Sequence, residues 1–168
     1  MLVQLESPNQ PEIISLIREL DIYQDSLYPA EARYALDLNR VEQPNVLFAV
    51  ARDDTGLAVG CGALVLSDKV AELKRMYVRP SHRGQGTAAN VLAKLEVEAV
   101  TRGYYLIQLE TGPFQPEALN FYKKHGYTAR GAFGDYPEHP LSVFMEKMLI
   151  SLQQEPTCDE SEICSGGT

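Results

Sequence analysis

Residues 79–90 read RPSHRGQGTAAN, and this stretch decides which fold the chain adopts. Pro80 follows the end of an apolar strand pattern, and Gly84 and Gly86 stand immediately before a long helical pattern. Glycine lets backbone N–H groups approach a ligand closely, and the unpaired N–H groups at a helix N-terminus favour an anion. The stretch therefore predicts either a plain tight turn at a helix start or a loop that holds a phosphate group.

The sequence on either side of this loop predicts a sheet crossed over by helices. Runs of β-forming residues predict strands at MLVQLES, VLFAVAR, LAVGCGALVL, VAELKRMYV, YYLIQLET, YTARGAF and LSVFMEKML. Helical spacing predicts helices at NQPEIISLIRELDIYQ with Asn9 as its cap, at PAEARYALDLNRV, over residues 86–102 and at PEALNFYKKHG. This order is typical of an α/β (α+β) domain in three layers, with a mixed, mainly antiparallel sheet flanked by helices.

The composition indicates one globular domain and argues against several kinds of partner. The chain has 168 residues, of which 45% are hydrophobic and 23% charged, and we expect a single domain over residues 1–150. A net charge of −8 argues against a nucleic-acid surface, and the apolar runs are too short for a membrane span. The polar, acidic residues 151–168 predict a disordered tail. The N-terminus lacks a signal-peptide pattern, so we expect a cytoplasmic protein.

Two other kinds of phosphate loop can be weighed against these residues. A P-loop is excluded because no Gly-Lys-Ser/Thr sequence ends the loop. The dinucleotide fingerprint fits better, since Gly84, Gly86 and Ala89 satisfy G-x-G-x-x-A and Glu110 could bind a ribose. However, the preceding strand VAELKRMYV carries charged residues that a strand buried on both faces would not, and too little chain follows to complete a dinucleotide fold.

The segment Arg83-x-x-Gly86-x-Ala88 matches the Q/R-x-x-G-x-G/A loop of the GNAT superfamily of acetyl-CoA-dependent N-acetyltransferases. The chain resembles that superfamily over residues 2–149, and PEALNFYKKHGY resembles its A-x-x-L/F-Y-x-x-x-G-F/Y signature. The segments AELKRMYV, LETG and LSVFMEK are similar to a bacterial subgroup of the small-molecule type. Two departures are Gln115, where many members carry Asn, and Ala88 in place of a second glycine.

The resemblance implies acetyl-CoA as the cosubstrate, with RGQGTA around its pyrophosphate. The residues that it assigns to the cofactor are Met76, Tyr77, Val78, Arg83, Gly84, Gln85, Gly86, Thr87, Ala88 and Gln115. No metal is expected, because His82, His125 and His139 have no acidic partner at ligand spacing. The cysteines Cys61, Cys158 and Cys164 are predicted to be free thiols, and Cys61 on the third strand is not expected to carry an acetyl group.

The resemblance also implies two catalytic residues. Glu72 stands where members with a catalytic glutamate carry it, and would accept a proton from the amine directly or through one water. The alternative for Glu72 is an exposed strand carboxylate paired with Lys74 or Arg75. Tyr122 would donate a proton or hydrogen bond to the departing thiolate. Its alternative is a packing aromatic, a description that suits Phe121 better.

The two loops that flank the acceptor cleft in the superfamily correspond here to SLYPAE and FGDYPEHP. They provide the substrate candidates Tyr28, Glu31, Tyr136 and His139, and Arg75 would reach either a substrate carboxylate or the solvent face of the sheet. The function that the resemblance implies is direct acetyl transfer to the primary amine of a small molecule. The alternatives are acetylation of a protein lysine or N-terminus, and a non-catalytic acyl-CoA sensor. A homodimer is also left open.

Overall fold

The structure is a computed structural model and describes residues 1–32 and 43–149. Its strands are β1 (Leu2–Leu5), β2 (Val46–Arg52), β3 (Ala58–Ser67), β4 (Val70–Val78), β5 (Leu106–Thr111), β6 (Thr128–Arg130) and β7 (Val143–Met148). Its α-helices are α1 (Pro11–Leu27), α2 (Thr87–Thr101) and α3 (Pro116–Lys124), with short 3-10 turns at Ala30–Ala32 and Pro80–His82. The predicted order of elements is confirmed within these ranges.

The strands form one sheet in the order β1-β2-β3-β4-β5-β7-β6. Every neighbouring pair is antiparallel except β4 and β5, which are parallel because α2 crosses over between them. The mixed, mainly antiparallel sheet that the sequence predicts is therefore confirmed. The β3–β4 hairpin turns at Asp68 and Lys69, both at positive φ, as a tight hairpin turn requires.

Helices cover both faces of the sheet, which gives the predicted three layers. On one face α1 buries Ile13, Leu16 and Ile17 against a cluster of strand residues, namely Phe48, Val50, Ala58, Cys61 and Ala63. On the other face α2 buries Val91, Leu92, Leu95 and Ala99, and α3 adds Tyr122 to the same core. Each fully buried aliphatic side chain contributes roughly 1.5–3 kcal/mol to folding, so both helical layers are held firmly against the sheet.

Three predicted boundaries differ from the structure. Helix α1 begins at Pro11, so Gln10 and not Asn9 is the N-cap, because proline is well suited to the first helical position. Strand β6 has only three residues and ends at Arg130, well short of the predicted YTARGAF. Of the predicted second helix only residues 29–32 are described, and Ala30–Ala32 form a 3-10 turn after Pro29. The rest of that helix lies outside the described residues, as do residues 151–168.

A separate observation concerns membranes. In the part of the chain that the structure describes, the longest helix is α1, which has 17 residues and mixes apolar with charged side chains. None of the described helices has the length and apolar character that a bilayer span requires.

Candidate active site

Strands β4 and β5 separate part-way along their length. Their parallel pairing runs from Val70 opposite Leu106 to Leu73 opposite Leu109, whereas β4 continues to Val78. At Arg75 the backbone has a φ of 59°, and the register with β3 shifts between Cys61 and Ala63. An extra residue in β4 at this point bends the strand away from its neighbour. A cleft therefore opens between β4 and β5 in the middle of the sheet.

Two hollows meet at this cleft. The first, which we call the groove, runs towards the loop before α2 and is lined by residues that include Tyr23, Tyr77, Val78, Arg83 and Ala88. The second, which we call the acceptor pocket, is lined by residues that include Tyr28, Glu72, Lys74, Glu110 and Tyr136. Both are lined by Leu20, Met76, Gln115, Ala118 and Tyr122. Two ligands that enter from opposite sides would meet beside these shared residues.

The loop before α2 has the shape of an anion cradle. Gly84 and Gly86 have φ values of 73° and 79°, and a Cβ built on either would meet no atom within 4 Å. Gly86 is also the N-cap of α2, where no side chain caps the helix. The first N–H groups of a helix are unpaired within it, and small residues let an anion approach them closely. The arrangement therefore fits a phosphate group that is held by backbone.

The polar side chains of this loop form hydrogen bonds to backbone carbonyls of the loop and of the end of β4. Arg83 Nε donates to the Val78 carbonyl at 2.9 Å, and its guanidinium lies 5.6 Å from the centre of the Tyr77 ring. Thr87 is almost fully buried, and its hydroxyl lies 3.3 Å from the His82 carbonyl that accepts its hydrogen bond. Gln85 bonds a backbone carbonyl within the same loop. A phosphate here would be contacted mainly by N–H groups, while these side chains fix the shape of the loop.

Glu72 lies in the acceptor pocket and is already hydrogen-bonded. The Tyr136 hydroxyl donates to Glu72, and the Lys74 ammonium donates to the Tyr136 hydroxyl at 2.6 Å. The Lys74 nitrogen is also 3.3 Å from a Glu72 carboxylate oxygen. The alternative pairing of Glu72 with Lys74 is therefore present in the structure, and it occurs inside the candidate site. A carboxylate in this position can bind a cation that enters the pocket.

Glu110 is a candidate that the sequence analysis did not assign to the acceptor pocket. Burial raises the pKa of Glu110 to about 7; the Ser142 hydroxyl and Lys74 oppose this rise, and Glu72 adds to it. Glu72 lies opposite Gln108, so Glu110, two residues further along β5, points to the same face of the sheet. A sequence signal for Glu110 was present. It is a charged residue in a strand that is otherwise predicted to be buried, and it lies on the same face of the sheet as Glu72.

Tyr122 lies at the junction of the two hollows. Its side chain is 7% exposed, and its ring packs edge-on against Tyr127 at 5.7 Å and Phe121 at 5.4 Å. Burial raises the pKa of Tyr122, so its hydroxyl keeps its proton at neutral pH. The packing role and the proton-donor role are therefore compatible in one residue.

The other predicted substrate residues are only partly brought together. Tyr28 and Tyr136 line the acceptor pocket, whereas Glu31 is exposed on a 3-10 turn outside its lining and His139 lines a separate surface hollow. Arg75 also lines the pocket, but its side chain is only 6% exposed and pairs with Asp21. Of the two alternatives for Arg75, the solvent-face position is wrong, because its side chain is almost fully buried at the bend in β4.

Tyr28 holds the loop that follows β5. Its hydroxyl accepts a hydrogen bond from the Phe114 N–H at 3.1 Å, and its ring stacks on Phe114 at 5.3 Å. Gly112 lies directly under this ring, and a Cβ at Gly112 would overlap the Tyr28 hydroxyl. This contact fixes the start of α3, where Gln115 is the N-cap and lines both hollows.

Gly112→Ala is expected to destabilise the protein by about 1–3 kcal/mol, because the added methyl group overlaps Tyr28 and overpacking costs that much. Chemical denaturation of the variant would measure the loss. In the Tyr28→Ala background the same Gly112→Ala change should cost much less, since the overlapping ring is gone. Equal losses in both backgrounds would contradict the assignment of Tyr28 as the contact that excludes a side chain at position 112.

Cys61 on β3 and the histidines of the described residues do not line the acceptor pocket. Cys61 is fully buried and burial raises the pKa of its thiol to about 12, so it is a poor nucleophile. His82 lies 3.4 Å from Asp53, and His125 bonds the Phe121 carbonyl, both outside the acceptor pocket. Among residues 1–32 and 43–149, no three His, Cys, Asp or Glu side chains are grouped as a metal site requires. Cys158 and Cys164 lie outside these ranges.

Comparison with known proteins identifies the family. The model of the acetyltransferase (GNAT) family matches residues 12–127. The chain belongs to this family. An IAA acetyltransferase from Azospirillum brasilense is 43% identical over 146 residues, which are 86% of this chain and 95% of that protein. This GNAT protein is therefore an acetyltransferase, as its motifs implied.

Solved structures agree with the family assignment. A Klebsiella pneumoniae protein assigned as an acyl-CoA N-acyltransferase is 39% identical, with a TM-score of 0.76 over 89% of this chain and 97% of that chain. An aminoglycoside 6'-N-acetyltransferase in complex with coenzyme A has a TM-score of 0.71 over 90% of this chain and 98% of that one. That protein is only 18% identical, so it shows the shared fold alone. The acetyltransferase fold thus spans nearly all the residues that the structure describes.

Proposed function

We propose that this GNAT acetyltransferase moves an acetyl group from acetyl-CoA directly to the primary amine of a small molecule. The observation that carries the proposal is the meeting of the groove and the acceptor pocket beside Met76 and Tyr122. A thioester in the groove and an amine in the pocket would react there without a covalent enzyme intermediate. The buried Cys61 thiol, whose pKa is raised to about 12, does not favour the covalent route.

Each part of coenzyme A would have a chemically suitable partner along the groove. The pyrophosphate would lie on the backbone cradle at Gly84 and Gly86, where the space beyond each Cα is open. The pantetheine arm would follow β4 from Val78 to Met76, along the part of the strand that extends past its pairing with β5. Backbone N–H groups there would hydrogen-bond the acetyl carbonyl, and one such donor contributes roughly 3 kcal/mol of transition-state stabilisation.

The reaction then needs a neutral amine and a proton for the thiolate. An alkylamine has a pKa near 10, so it arrives as an ammonium ion, and the Glu72 carboxylate would bind that ion in the acceptor pocket. After the ammonium loses one proton, the amine nitrogen forms a bond to the acetyl carbon and the C–S bond breaks. Tyr122 would give its proton to the leaving sulfur and regain one from the reacting nitrogen.

The small-molecule acceptor is supported by the walls of the pocket. Tyr28 and Tyr136 line it from the segments after α1 and before β7, and Lys74 is held against Tyr136. The name of one relative refers to IAA, which is consistent with a small acceptor. Glu72 and Glu110 favour an acceptor that carries positive charge.

A free amino acid derivative or other small amine is expected to be acetylated faster than a lysine peptide at equal concentration, because Glu72 and Glu110 attract a compact cation into a pocket lined by Tyr28 and Tyr136. Direct competition in one reaction, with both products quantified by mass spectrometry, measures the ratio. Added salt should slow the small amine by screening the pocket carboxylates. Preference for the peptide would overturn the small-molecule acceptor, and absence of thiol release with every acceptor would indicate a sensor instead of an enzyme.

A further inference from the structure

Glu110 occupies a special position in the cleft. Leu109 is the last residue of β5 that pairs with β4, so Glu110 is the first residue at the point where the two strands separate. On its other side Glu110 pairs with Phe144 of β7, which holds its backbone in the sheet. Its carboxyl group lines the acceptor pocket. The strand therefore presents this group inside the acceptor pocket, where the amine would bind.

The two carboxyl groups of the pocket differ in their surroundings. Glu72 accepts a hydrogen bond from Tyr136 and lies 3.3 Å from the Lys74 ammonium, so it is held in place by two partners. Glu110 is partly buried, and this burial raises its pKa to about 7. A group that is half ionised near neutral pH can both accept and release a proton under ordinary conditions. The titratable and charged groups around it are Glu72, Lys74, Arg75 paired with Asp21, Tyr28 and Tyr136.

We propose that Glu110 is the proton acceptor for the amine and that Glu72, fixed by Tyr136 and Lys74, binds the ammonium ion before transfer. This inference rests on the proposed acetyl transfer to an amine. The proton passes from the ammonium nitrogen to the Glu110 carboxylate, which becomes a neutral carboxylic acid and leaves a nucleophilic amine. After acetyl transfer Glu110 returns that proton to solvent. Glu72 keeps its contacts with Tyr136 and Lys74 and takes no part in the proton transfer.

The pH dependence of kcat/KM tests this division of roles. In the wild type, kcat/KM should rise tenfold per pH unit up to about pH 7 and then level off, because Glu110 accepts a proton only when it is ionised. In Glu110→Gln this limb, which ends near pH 7, should be replaced by a rise that continues towards the amine pKa, where the substrate deprotonates by itself, so the loss is on the order of 100-fold at pH 7 and shrinks above it.

Glu72→Gln is the variant that separates the two carboxyl groups. It should raise KM for the amine while the limb persists and ends at a somewhat lower pH, because ammonium binding is weakened and Glu72 no longer adds to the rise in the pKa of Glu110. Glu98→Gln is the matched control, since Glu98 pairs with Lys94 and Arg102 on α2, away from both hollows, and its pH profile should equal that of the wild type. A limb that vanishes in Glu72→Gln and survives in Glu110→Gln would overturn the proposal.

Thermal unfolding gives a second readout that needs no substrate. Because the pKa of Glu110 is raised in the folded protein, the folded state binds more protons than the unfolded chain between about pH 4.5 and 7. The wild type should therefore lose stability relative to Glu110→Gln as the pH rises through this window, which shifts the difference in Tm by a few degrees between pH 5 and pH 8. A difference in Tm that does not change with pH would overturn the proposal.

The outcomes for this inference and for the small-molecule acceptor are distinguishable. Any ammonium group must lose a proton before it reacts, so the same pH profiles apply if a lysine peptide proves to be the better acceptor. Preference for the peptide would then overturn the small-molecule acceptor and leave the role of Glu110 to be judged by its own profile. A wild-type enzyme whose kcat/KM shows no limb near pH 7 with either acceptor would overturn the role of Glu110.

Discussion

Gly86→Val is expected to weaken coenzyme A binding by on the order of 100-fold or more while the protein remains folded. Gly86 has a φ of 79°, a conformation that a β-branched residue adopts only at a cost of roughly 1–3 kcal/mol. The side chain would project into open space next to the N-terminus of α2, where a phosphate would otherwise lie against backbone N–H groups. Isothermal titration calorimetry with coenzyme A measures the change in Kd.

Gly103→Val provides the matched control at the other end of α2. Gly103 has a φ of 82° and open space where its Cβ would project, so the same substitution imposes a similar backbone strain away from the groove. The two variants should lose similar stability, but only Gly86→Val should lose coenzyme A affinity. Equal affinity in both variants would refute the assignment of residues 83–88 as the pyrophosphate loop.

The order of strands and helices could be predicted because its signals are local. The buried face of α2, from Val91 to Ala99, follows from helical spacing, and Gly103 ends the helix where its positive φ is needed. The strand order within the sheet depends partly on pairings between distant segments. The antiparallel β2–β3–β4 run could be anticipated from the short turns between its strands, and the parallel β4–β5 pair from the helix between them. The predicted N-cap at Asn9 was wrong by one residue. Helix α1 begins at Pro11, so Gln10 is the N-cap.

The candidate site was harder to predict because its geometry depends on how strands align. Glu110 enters the acceptor pocket because β5 pairs with β4 only as far as Leu109, and no local pattern reveals that endpoint. Arg75 turns inward because of the bend in β4, and arginine carries no sequence signal for positive φ. His139 and Tyr136 belong to one loop, yet only Tyr136 reaches Glu72. Loop side chains are placed by tertiary contacts that the sequence alone does not display.

Tyr122→Phe is expected to lower kcat on the order of 100-fold with little change in acetyl-CoA binding. The substitution removes one hydroxyl group and keeps the ring that packs against Phe121 and Tyr127. Because burial raises the pKa of Tyr122, the hydroxyl is protonated throughout the neutral range and is available as a donor to the leaving thiolate. Steady-state rates of thiol release, together with calorimetry of cofactor binding, separate the two effects.

Tyr127→Phe is the comparison that distinguishes chemistry from packing. Tyr127 is 2% exposed and belongs to the same core. Its hydroxyl donates a hydrogen bond to Glu96 at 3.1 Å, away from both hollows. Loss of that hydrogen bond should lower the free energy of unfolding by roughly 1–3 kcal/mol and leave kcat within about twofold of the wild type. Tyr122→Phe should show the reverse, with a large fall in kcat and a small change in stability. If the two variants lowered kcat equally, Tyr122 would be a packing residue and the thiolate would take its proton from elsewhere.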